Sequence, residues 1–448
     1  MATVTVLCAV RGPQEAAVVV ALGAPGSGAT VTRRCGDLAE LLAAAAAGAG
    51  TVAVVSPELP GLDRESVGRL HDTGVRVVAL ADAAAAERLH AIGIDTVLDG
   101  ALDATGLDLR DGGALRAAVA LPPVGRDAGR TAVPGATVPE VGVEVADADG
   151  APARAGAVVA VWGPVGAPGR TTTAVELAAA LAGVGGRTTR RGRTDPPRRD
   201  PGTVLLVDAD TYGSSIATRL GLLDDAPGIT AAARAAGQGT LGVEDLARFS
   251  PTVVPGMRVL TGITRAARWP ELPSSVVDVV LERARELVDW VVVDCGAVIE
   301  ADELLMYDTR APQRNAATLT ALGAADVVVV VGSADPVGIQ RLVRGLEELR
   351  EAPVPVSAPT VVVANRVRAS AVGRDPAAAV RQALARYAGV EHVHTVPDDG
   401  PALDAAVLAG RSLAEHDPSS AARAAFTALA DAVHEIVPAA GRAAQAAH

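Results

Sequence analysis

The chain has 448 residues, 49% of them hydrophobic, so it is long enough for two domains with buried interiors. Its formal net charge of −12 argues against nucleic-acid binding across the whole surface. No apolar run is long enough to span a bilayer, the N-terminus shows no export signal, and three scattered cysteines form no disulfide framework. We therefore predict a cytoplasmic protein.

Residues 1–120 alternate short valine-rich runs with alanine-rich stretches of helical spacing, which predicts a small α/β domain with a parallel sheet. The predicted strands of this domain are residues 3–7, 51–55, 75–80 and 95–98. Residues 121–155 are rich in proline, glycine, arginine and aspartate without periodicity. This composition predicts a flexible linker.

From residue 156 to residue 437 the alternation resumes with longer apolar strands, and an alanine-rich tail follows at 438–448. The predicted strands are residues 157–162, 203–210, 290–295, 326–332, 360–365 and 392–397. Near-continuous apolar runs are typical of central parallel strands that helices cover on both faces. We therefore predict a second, doubly wound α/β domain with a parallel sheet.

Residues 161–182, VWGPVGAPGRTTTAVELAAALA, have the layout of a phosphate-binding loop, because a strand leads through a glycine-rich turn into a helix. Gly166 and Gly169 allow backbone N–H groups to approach an anion, and the helix is predicted to start near Thr172. Thr171 stands where such loops present a hydroxyl to Mg²⁺. The pattern therefore indicates a nucleotide site.

Two positions depart from the pattern G-x-x-x-x-G-K-[ST] of such loops. Pro164 occupies the place of the first glycine, and Arg170 that of the lysine. Every one of the 40 basic residues counted as lysine or arginine is arginine, so the missing lysine is partly a property of the whole chain. On this stretch alone, an ordinary glycine-rich turn between strand and helix stays an open alternative.

Three acids lie at the carboxyl ends of predicted strands of the second domain. Asp208 and Asp210 end the segment VLLVDAD, and Asp294 ends the segment WVVVD. Ligands of open α/β sheets bind outside the carboxyl ends of the strands, where these side chains are delivered. With a phosphate loop alongside, the three acids form a candidate set for holding Mg²⁺ and positioning water.

The order of these motifs over residues 156–436 resembles the deviant Walker ATPases of the MinD/ParA group, and within it the CpaE-like pilus-assembly proteins and the septum-site-determining proteins. The segments that carry the resemblance are GAPGRTTTAVELAAALA, VLLVDAD, VVVDCG, VVVANRV and VPDDGPALDAAVLAGRSL. The resemblance implies a P-loop NTPase fold, ATP with Mg²⁺ as cofactors, and a nucleotide-dependent homodimer on the cytoplasmic face of the membrane.

Site residues follow from the resemblance by position. It implies that the phosphate loop consists of Gly166, Ala167, Pro168, Gly169, Arg170, Thr171 and Thr172. It implies that Asp208 and Asp210 help to place the attacking water and the metal, and that Asp294 is the Walker B acid, which holds Mg²⁺ together with Thr171. It implies that the adenine base is held by Asn365, Pro397 and Asp398.

The departures from the family predict weak turnover. Arg170 replaces the phosphate-loop lysine, Val165 aligns with the signature lysine that reaches the partner's phosphates, and Val298 aligns with the switch glycine. Arginine is a broad planar fork and does not substitute for a compact ammonium between two phosphates. We therefore expect nucleotide binding to survive better than hydrolysis.

Residues 1–120 resemble a response-regulator receiver domain, as in CpaE-like proteins. The slot for its phosphoacceptor aspartate holds Ser56, in VVSPELPGLD, and no acids follow the first strand to hold Mg²⁺. We therefore predict a receiver-like domain without phosphotransfer chemistry, used for protein contacts or localisation.

Two other segments have alternative interpretations. The arginine-rich segment at 187–199 could contact DNA or anionic lipid, but a solvated loop is the simpler interpretation. In the last helix, Phe426, Leu429, Val433 and Ile436 recur at helical spacing, which favours packing on its own domain over membrane targeting.

The leading functional hypothesis is therefore an ATP-binding, MinD-like spatial switch for septum-site determination or pilus assembly, with protein partners in that machinery and peripheral membrane contact left open. A non-hydrolysing nucleotide-binding adapter is the alternative, and a biosynthetic P-loop synthetase is a third.

Overall fold

The computed structural model describes residues 3–99 except 13, residues 118–119, and residues 156–446 except 167, 186, 189–193, 196–201, 223–226 and 301–312. These residues form two compact units, each with its own parallel sheet. The predicted linker at 121–155 and most of the arginine-rich segment lie outside the described residues. The predicted α/β class is confirmed.

The first unit is a five-stranded parallel sheet in the order β2-β1-β3-β4-β5. Its strands are β1 (Val4–Ala9), β2 (Ala29–Arg34), β3 (Val52–Val55), β4 (Arg76–Ala81) and β5 (Thr96–Asp99). Its helices are α1 (Gln14–Gly23), α2 (Leu38–Ala46), α3 (Arg64–Asp72) and α4 (Ala83–Ala91). Alternate residues of β1, β3 and β4 belong to two separate apolar clusters, so both faces of this sheet are covered. The strand order is that of flavodoxin-like doubly wound folds.

The second unit is built on an eight-stranded sheet in the order β10-β11-β9-β12-β6-β13-β14-β15, parallel except for the edge strand β10. Its strands are β6 (Ala157–Trp162), β9 (Val204–Ala209), β10 (Thr252–Val254), β11 (Met257–Leu260), β12 (Trp290–Cys295), β13 (Val327–Ser333), β14 (Thr360–Val367) and β15 (Val393–Pro397). A separate two-stranded ribbon consists of β7 (Arg187–Thr188) and β8 (Thr194–Asp195).

Helices connect and cover the strands of the second unit. They are α5 (Arg170–Leu181), α6 (Ile216–Arg219), α7 (Gly228–Gly237), α8 (Val243–Phe249), a 3-10 helix (Ala266–Glu271), α9 (Ser274–Leu287), α10 (Ala316–Gly323), α11 (Pro336–Arg350), α12 (Ala369–Val372), α13 (Pro376–Ala388), α14 (Gly400–Leu408), α15 (Leu413–His416) and α16 (Ala421–Ala446). None of the helices in the described part of the chain is long and apolar enough to cross a membrane.

The core of the second unit lies between the sheet and helices α5 and α16. All residues of β6, β9 and β12 are buried, because each strand is an apolar run with a neighbour on either side. Phe426, Leu429 and Val433 of α16 lie in this core, so the predicted packing of the last helix on its own domain is confirmed. The helix continues to Ala446, past the predicted domain end at residue 437.

The strand order places the switch point of the sheet at β6. β12 lies on one side of β6 and β13 on the other, so the connections diverge at the carboxyl end of β6. Such a divergence leaves a crevice outside the sheet, where ligands of α/β proteins bind. The fold therefore directs attention to the segment that follows Trp162.

Candidate nucleotide-binding site

The glycine-rich loop after β6 leads directly into helix α5. Gly166 and Gly169 have φ angles of 123° and 94°, in the region that favours glycine. The helix begins at Arg170, two residues before the predicted start near Thr172, because the left-handed turn at Gly169 already directs the chain into the helix. The N–H of Thr173 donates to the carbonyl of Gly169 over 2.9 Å and closes the first turn. The first N–H groups of α5 thus have no partner within the helix and are available to an anion.

Arg170, the residue in the lysine position, is held by the protein itself. Its Nη1 donates to the carbonyl oxygens of Gly163 and Pro164, each over 3.2 Å. Its Nη2 lies 3.7 Å from Oδ2 of Asp210. The guanidinium therefore stabilises the start of the loop and pairs with Asp210, so fewer of its donors are free to bind a phosphate.

Asp294 is the most deeply perturbed acid of the site. It is 1% exposed, at the end of β12, and is the register partner of Asp208 on β9. Neither of its carboxylate oxygens has a hydrogen-bond donor of standard geometry among the described residues. Burial, and then the charge of Asp208, raises the pKa of Asp294 well above its usual value, although the nearby Thr171 hydroxyl and Arg170 oppose the shift. A buried carboxylate without donors is costly, so this position needs a cation or a proton.

Asp208 is, by contrast, fully engaged by its own chain. Its Oδ2 accepts from the Ser214 hydroxyl over 2.8 Å and from the N–H groups of Ser215 and Ile216 over 3.0 Å each. Its Oδ1 accepts from the N–H of Asp210 over 3.3 Å. Burial still raises its pKa, because the hydrogen bonds offset only part of the desolvation. This carboxylate anchors the turn that leads into α6, and a direct catalytic role for it stays a prediction.

Asp210 links that turn to the phosphate loop. Its Oδ1 accepts from the N–H groups of Tyr212 and Gly213 over 2.9 and 3.1 Å, and its Oδ2 faces Arg170. The side chain is almost fully buried. The three predicted acids are thus brought together at the carboxyl edge of the sheet, where each has a different environment.

Thr171 and Asp294 fit the requirements of a magnesium site. Both present oxygen atoms, which Mg²⁺ prefers, and the carboxylate lacks other donors among the described residues. No group of three histidine, cysteine, aspartate or glutamate side chains that could enclose a metal occurs in the part of the chain that the structure describes. Mg²⁺ commonly uses one or two carboxylates together with substrate phosphates and water, and this donor set matches that arrangement.

The residues assigned to the adenine base lie at two neighbouring strand ends. Asn365, at the end of β14, is 4% exposed; its amide donates to the carbonyl of Pro168 over 2.7 Å, and its oxygen accepts from the N–H of Arg366. Pro397 is the last residue of β15, and Asp398 follows it. In this structure Asn365 fastens the phosphate loop to the sheet, so its contact with a base stays a prediction. The predicted loop residue Ala167 lies outside the described residues.

Sequence reasoning missed Glu176, which lies two turns into α5. It is 2% exposed, accepts from the N–H of Leu413 over 2.9 and 3.0 Å, and lies 3.8 Å from Nη2 of Arg219. Burial raises its pKa to about 7, against the opposing effects of Leu413 and Arg219. The signal was present in the sequence AVELAAAL, because a single acid among apolar residues predicts a buried carboxylate with a structural partner.

No protein-family model and no curated protein sequence matches the chain. Among solved structures, it is similar to a ParA family ATPase from Chlorobium tepidum TLS, with 16% identity, a TM-score of 0.48, and coverage of 62% of this chain and 99% of that one. It is similar to the cell division ATPase MinD of Pyrococcus furiosus, with 20% identity, a TM-score of 0.46, and coverage of 63% and 99%. It is also similar to the septum site-determining protein MinD complexed with Mg-ADP from Pyrococcus horikoshii OT3, with 19% identity, a TM-score of 0.45, and coverage of 62% and 95%. These three solved structures are ParA and MinD ATPases.

Proposed function

We propose that the second unit binds ATP with Mg²⁺ and acts as a nucleotide-dependent switch of the MinD/ParA type. The observation that carries this proposal is the buried carboxylate of Asp294, which accepts no hydrogen bond of standard geometry from the described residues and lies near the Thr171 hydroxyl at the start of α5. A divalent cation between this carboxylate and a bound phosphate would remove the cost of burying it.

The loop supports the same proposal from the side of the phosphates. Gly166 and Gly169 give the loop the positive φ angles that expose successive N–H groups, and the N-terminus of α5 adds its dipole. We propose that the phosphates contact Gly166, Ala167, Pro168, Gly169, Arg170, Thr171 and Thr172. The base would lie toward Asn365, Pro397 and Asp398, at the ends of β14 and β15.

A non-hydrolysing adapter is the second candidate, and a specific observation favours it. Arg170 is bound to two loop carbonyls and to Asp210, so little of its charge is directed toward a transferred phosphoryl group. Positive charge at that group accounts for several powers of ten in the rates of related reactions. On this proposal the protein exchanges nucleotide and partners, and cleaves ATP slowly or not at all.

The cellular role that we propose is spatial organisation at the cytoplasmic membrane, in septum-site determination or CpaE-like pilus assembly, by a nucleotide-dependent homodimer with protein partners. The strand order of the first unit is compatible with a receiver-like module. Ser56 follows β3 there, is 1% exposed, and its hydroxyl accepts from the N–H of Arg11, so the phosphoacceptor slot holds a structural hydroxyl. We propose that this unit serves protein contacts.

Titration calorimetry with ATP, in Mg²⁺ and then in a chelator, tests the binding proposal. We expect saturable heat in Mg²⁺ and a large loss of affinity without the metal. Asp294→Asn should give weak binding under both conditions, because the metal loses its carboxylate. Absence of binding at millimolar ATP by folded wild-type protein would rule out the nucleotide switch and the adapter together.

Steady-state phosphate release then separates the two candidates. A switch cycles, so it should release phosphate at a rate that rises when protein concentration favours dimers. An adapter should bind ATP with the same affinity and release no phosphate above a buffer control.

A further inference from the structure

Helix α11 carries a second arginine to the phosphate loop. A Cβ atom added to Gly166 would collide with Nη1 of Arg341, and would lie 3.3 Å from Cζ and 3.5 Å from Cδ of the same side chain. The guanidinium of Arg341 is thus in contact with the backbone of the loop, at the glycine whose φ angle is 123°. No sequence motif singles this residue out.

The position of Arg341 is fixed by packing of its helix. Gly345, one turn later on the same face, lies against Pro164, since a Cβ there would be 3.1 Å from the Cβ of that proline. The helix starts at an Asp335 cap that accepts from the N–H of Gly338 over 2.9 Å. These two contacts hold the helix beside the loop, so the backbone of Arg341 is kept within reach of Gly166.

The two arginines at the loop differ in the hydrogen bonds and ion pairs that they form. Arg170 gives its hydrogen bonds to Gly163 and Pro164 and its charge to Asp210. Arg341 is exposed, and it forms no salt bridge with any acid in the described ranges. Its planar fork therefore retains the donors that a phosphate group binds in a bidentate manner.

We propose that Arg341, rather than Arg170, supplies the main positive side chain to phosphates bound at this loop, from the same chain. This inference rests on the proposed nucleotide site and names the residue that gives the site its charge. The chain contains no lysine, and on this proposal two arginines share the function of the missing loop lysine. Arg170 stabilises the conformation of the loop, and Arg341 binds the phosphate.

The test compares Arg341→Gln with Arg344→Gln in the full-length protein. Arg344 lies on the same helix and is also exposed, but the atoms nearest to a Cβ at the loop glycine all belong to Arg341, so Arg344 controls for the loss of one surface charge. Calorimetry with Mg-ATP, and with inorganic triphosphate as a probe that has no base, should show binding about 10- to 100-fold weaker in Arg341→Gln and nearly unchanged in Arg344→Gln. Arg341→Lys, which keeps the charge, should recover part of the loss.

The outcomes separate this inference from the proposed function. If wild type binds neither probe, the nucleotide site itself is refuted. If wild type binds and Arg341→Gln binds as tightly as Arg344→Gln, the inference is overturned while the site stands. If Arg341→Gln weakens binding and also lowers the melting temperature of the ligand-free protein, Arg341→Lys decides between a charge effect and a folding effect. Recovery of binding in Arg341→Lys would support the assignment of charge, and equally weak binding would overturn it.

Discussion

Replacing Glu176 with glutamine keeps the size of the side chain, removes its ability to ionise and removes its ion pair with Arg219, so the cost of burying the carboxylate is read from the pH dependence of the stability change. Burial raises the pKa of Glu176 from 4.5 to about 7. Between these values the folded chain retains a proton that the unfolded chain has released, so stability falls as the pH rises from 4.5 to 7. Below the lower value the carboxyl group is neutral in both states and the penalty is absent.

The size of the effect follows from the same two values. A difference of about 2.5 pH units at about 1.36 kcal/mol per unit gives a wild-type loss of about 3 kcal/mol above pH 7. Glutamine escapes this loss, and its amide oxygen can still accept from the N–H of Leu413. The free energy of unfolding of Glu176→Gln, minus that of wild type, should therefore rise by about 3 kcal/mol between pH 4.5 and pH 8.

Urea unfolding followed by tryptophan fluorescence measures this difference directly. The three tryptophans, Trp162, Trp269 and Trp290, all belong to the second unit, so the signal reports the unit that contains Glu176. Glu282→Gln, at an exposed glutamate of α9, is the matched control and should show no such change with pH. A stability difference for Glu176→Gln that is constant from pH 4.5 to pH 8 would show that the carboxylate is not destabilised by burial.

Three further predictions concern the loop and the first unit. Asp294→Asn should raise the melting temperature of the ligand-free protein at pH 8, because it removes a buried charge, while it abolishes the stabilisation that Mg²⁺ with ATP gives to wild type in the same melting assay. Arg170→Lys should increase phosphate release with little change in ATP affinity in calorimetry, and adding Val165→Lys should increase release further only at concentrations where the protein dimerises. Incubation with acetyl phosphate and Mg²⁺ should leave residues 1–120 without a phosphoryl adduct in intact-mass analysis, because Ser56 occupies the acceptor position; a stable adduct there would contradict the inert-receiver assignment.

Much of the fold was predictable because its central strands are continuous apolar runs. The bounds predicted for β6 and β12 agree with the structure at both ends. The strands that sequence reasoning missed lie at or near the edges of the sheets. β2 has the sequence ATVTRR and is largely exposed, and β10 has only three residues, so neither has the buried pattern that marks a strand.

The sequence predicted where the site residues lie in the fold, but not which side chains contact one another. Topology alone brings the loop, Asp208 and Asp294 to one edge, since parallel strands end together. The brace formed by Arg170, the engagement of Asp208 by its own turn and the contact of Arg341 with the loop all depend on side-chain direction. That direction is set by packing between elements distant in sequence, which no local pattern encodes.

On the proposed function, the charges around α5 would affect nucleotide binding and turnover differently. Asp208, Asp294 and Glu176 are buried acids, and burial is the main reason that the pKa of each is raised, although Arg170 and Arg219 oppose the shift at Asp294 and Glu176. On the proposed function, Mg²⁺ would offset the cost of burying Asp294 and Arg341 would contact the phosphates, so both would favour the binding of nucleotide. Hydrolysis also requires a cation directed at the transferred phosphoryl group. Arg170 instead contacts the carbonyls of Gly163 and Pro164 and the carboxylate of Asp210. On the proposed function, the contacts of Arg170 that hold the loop in shape would therefore reduce its capacity for catalysis.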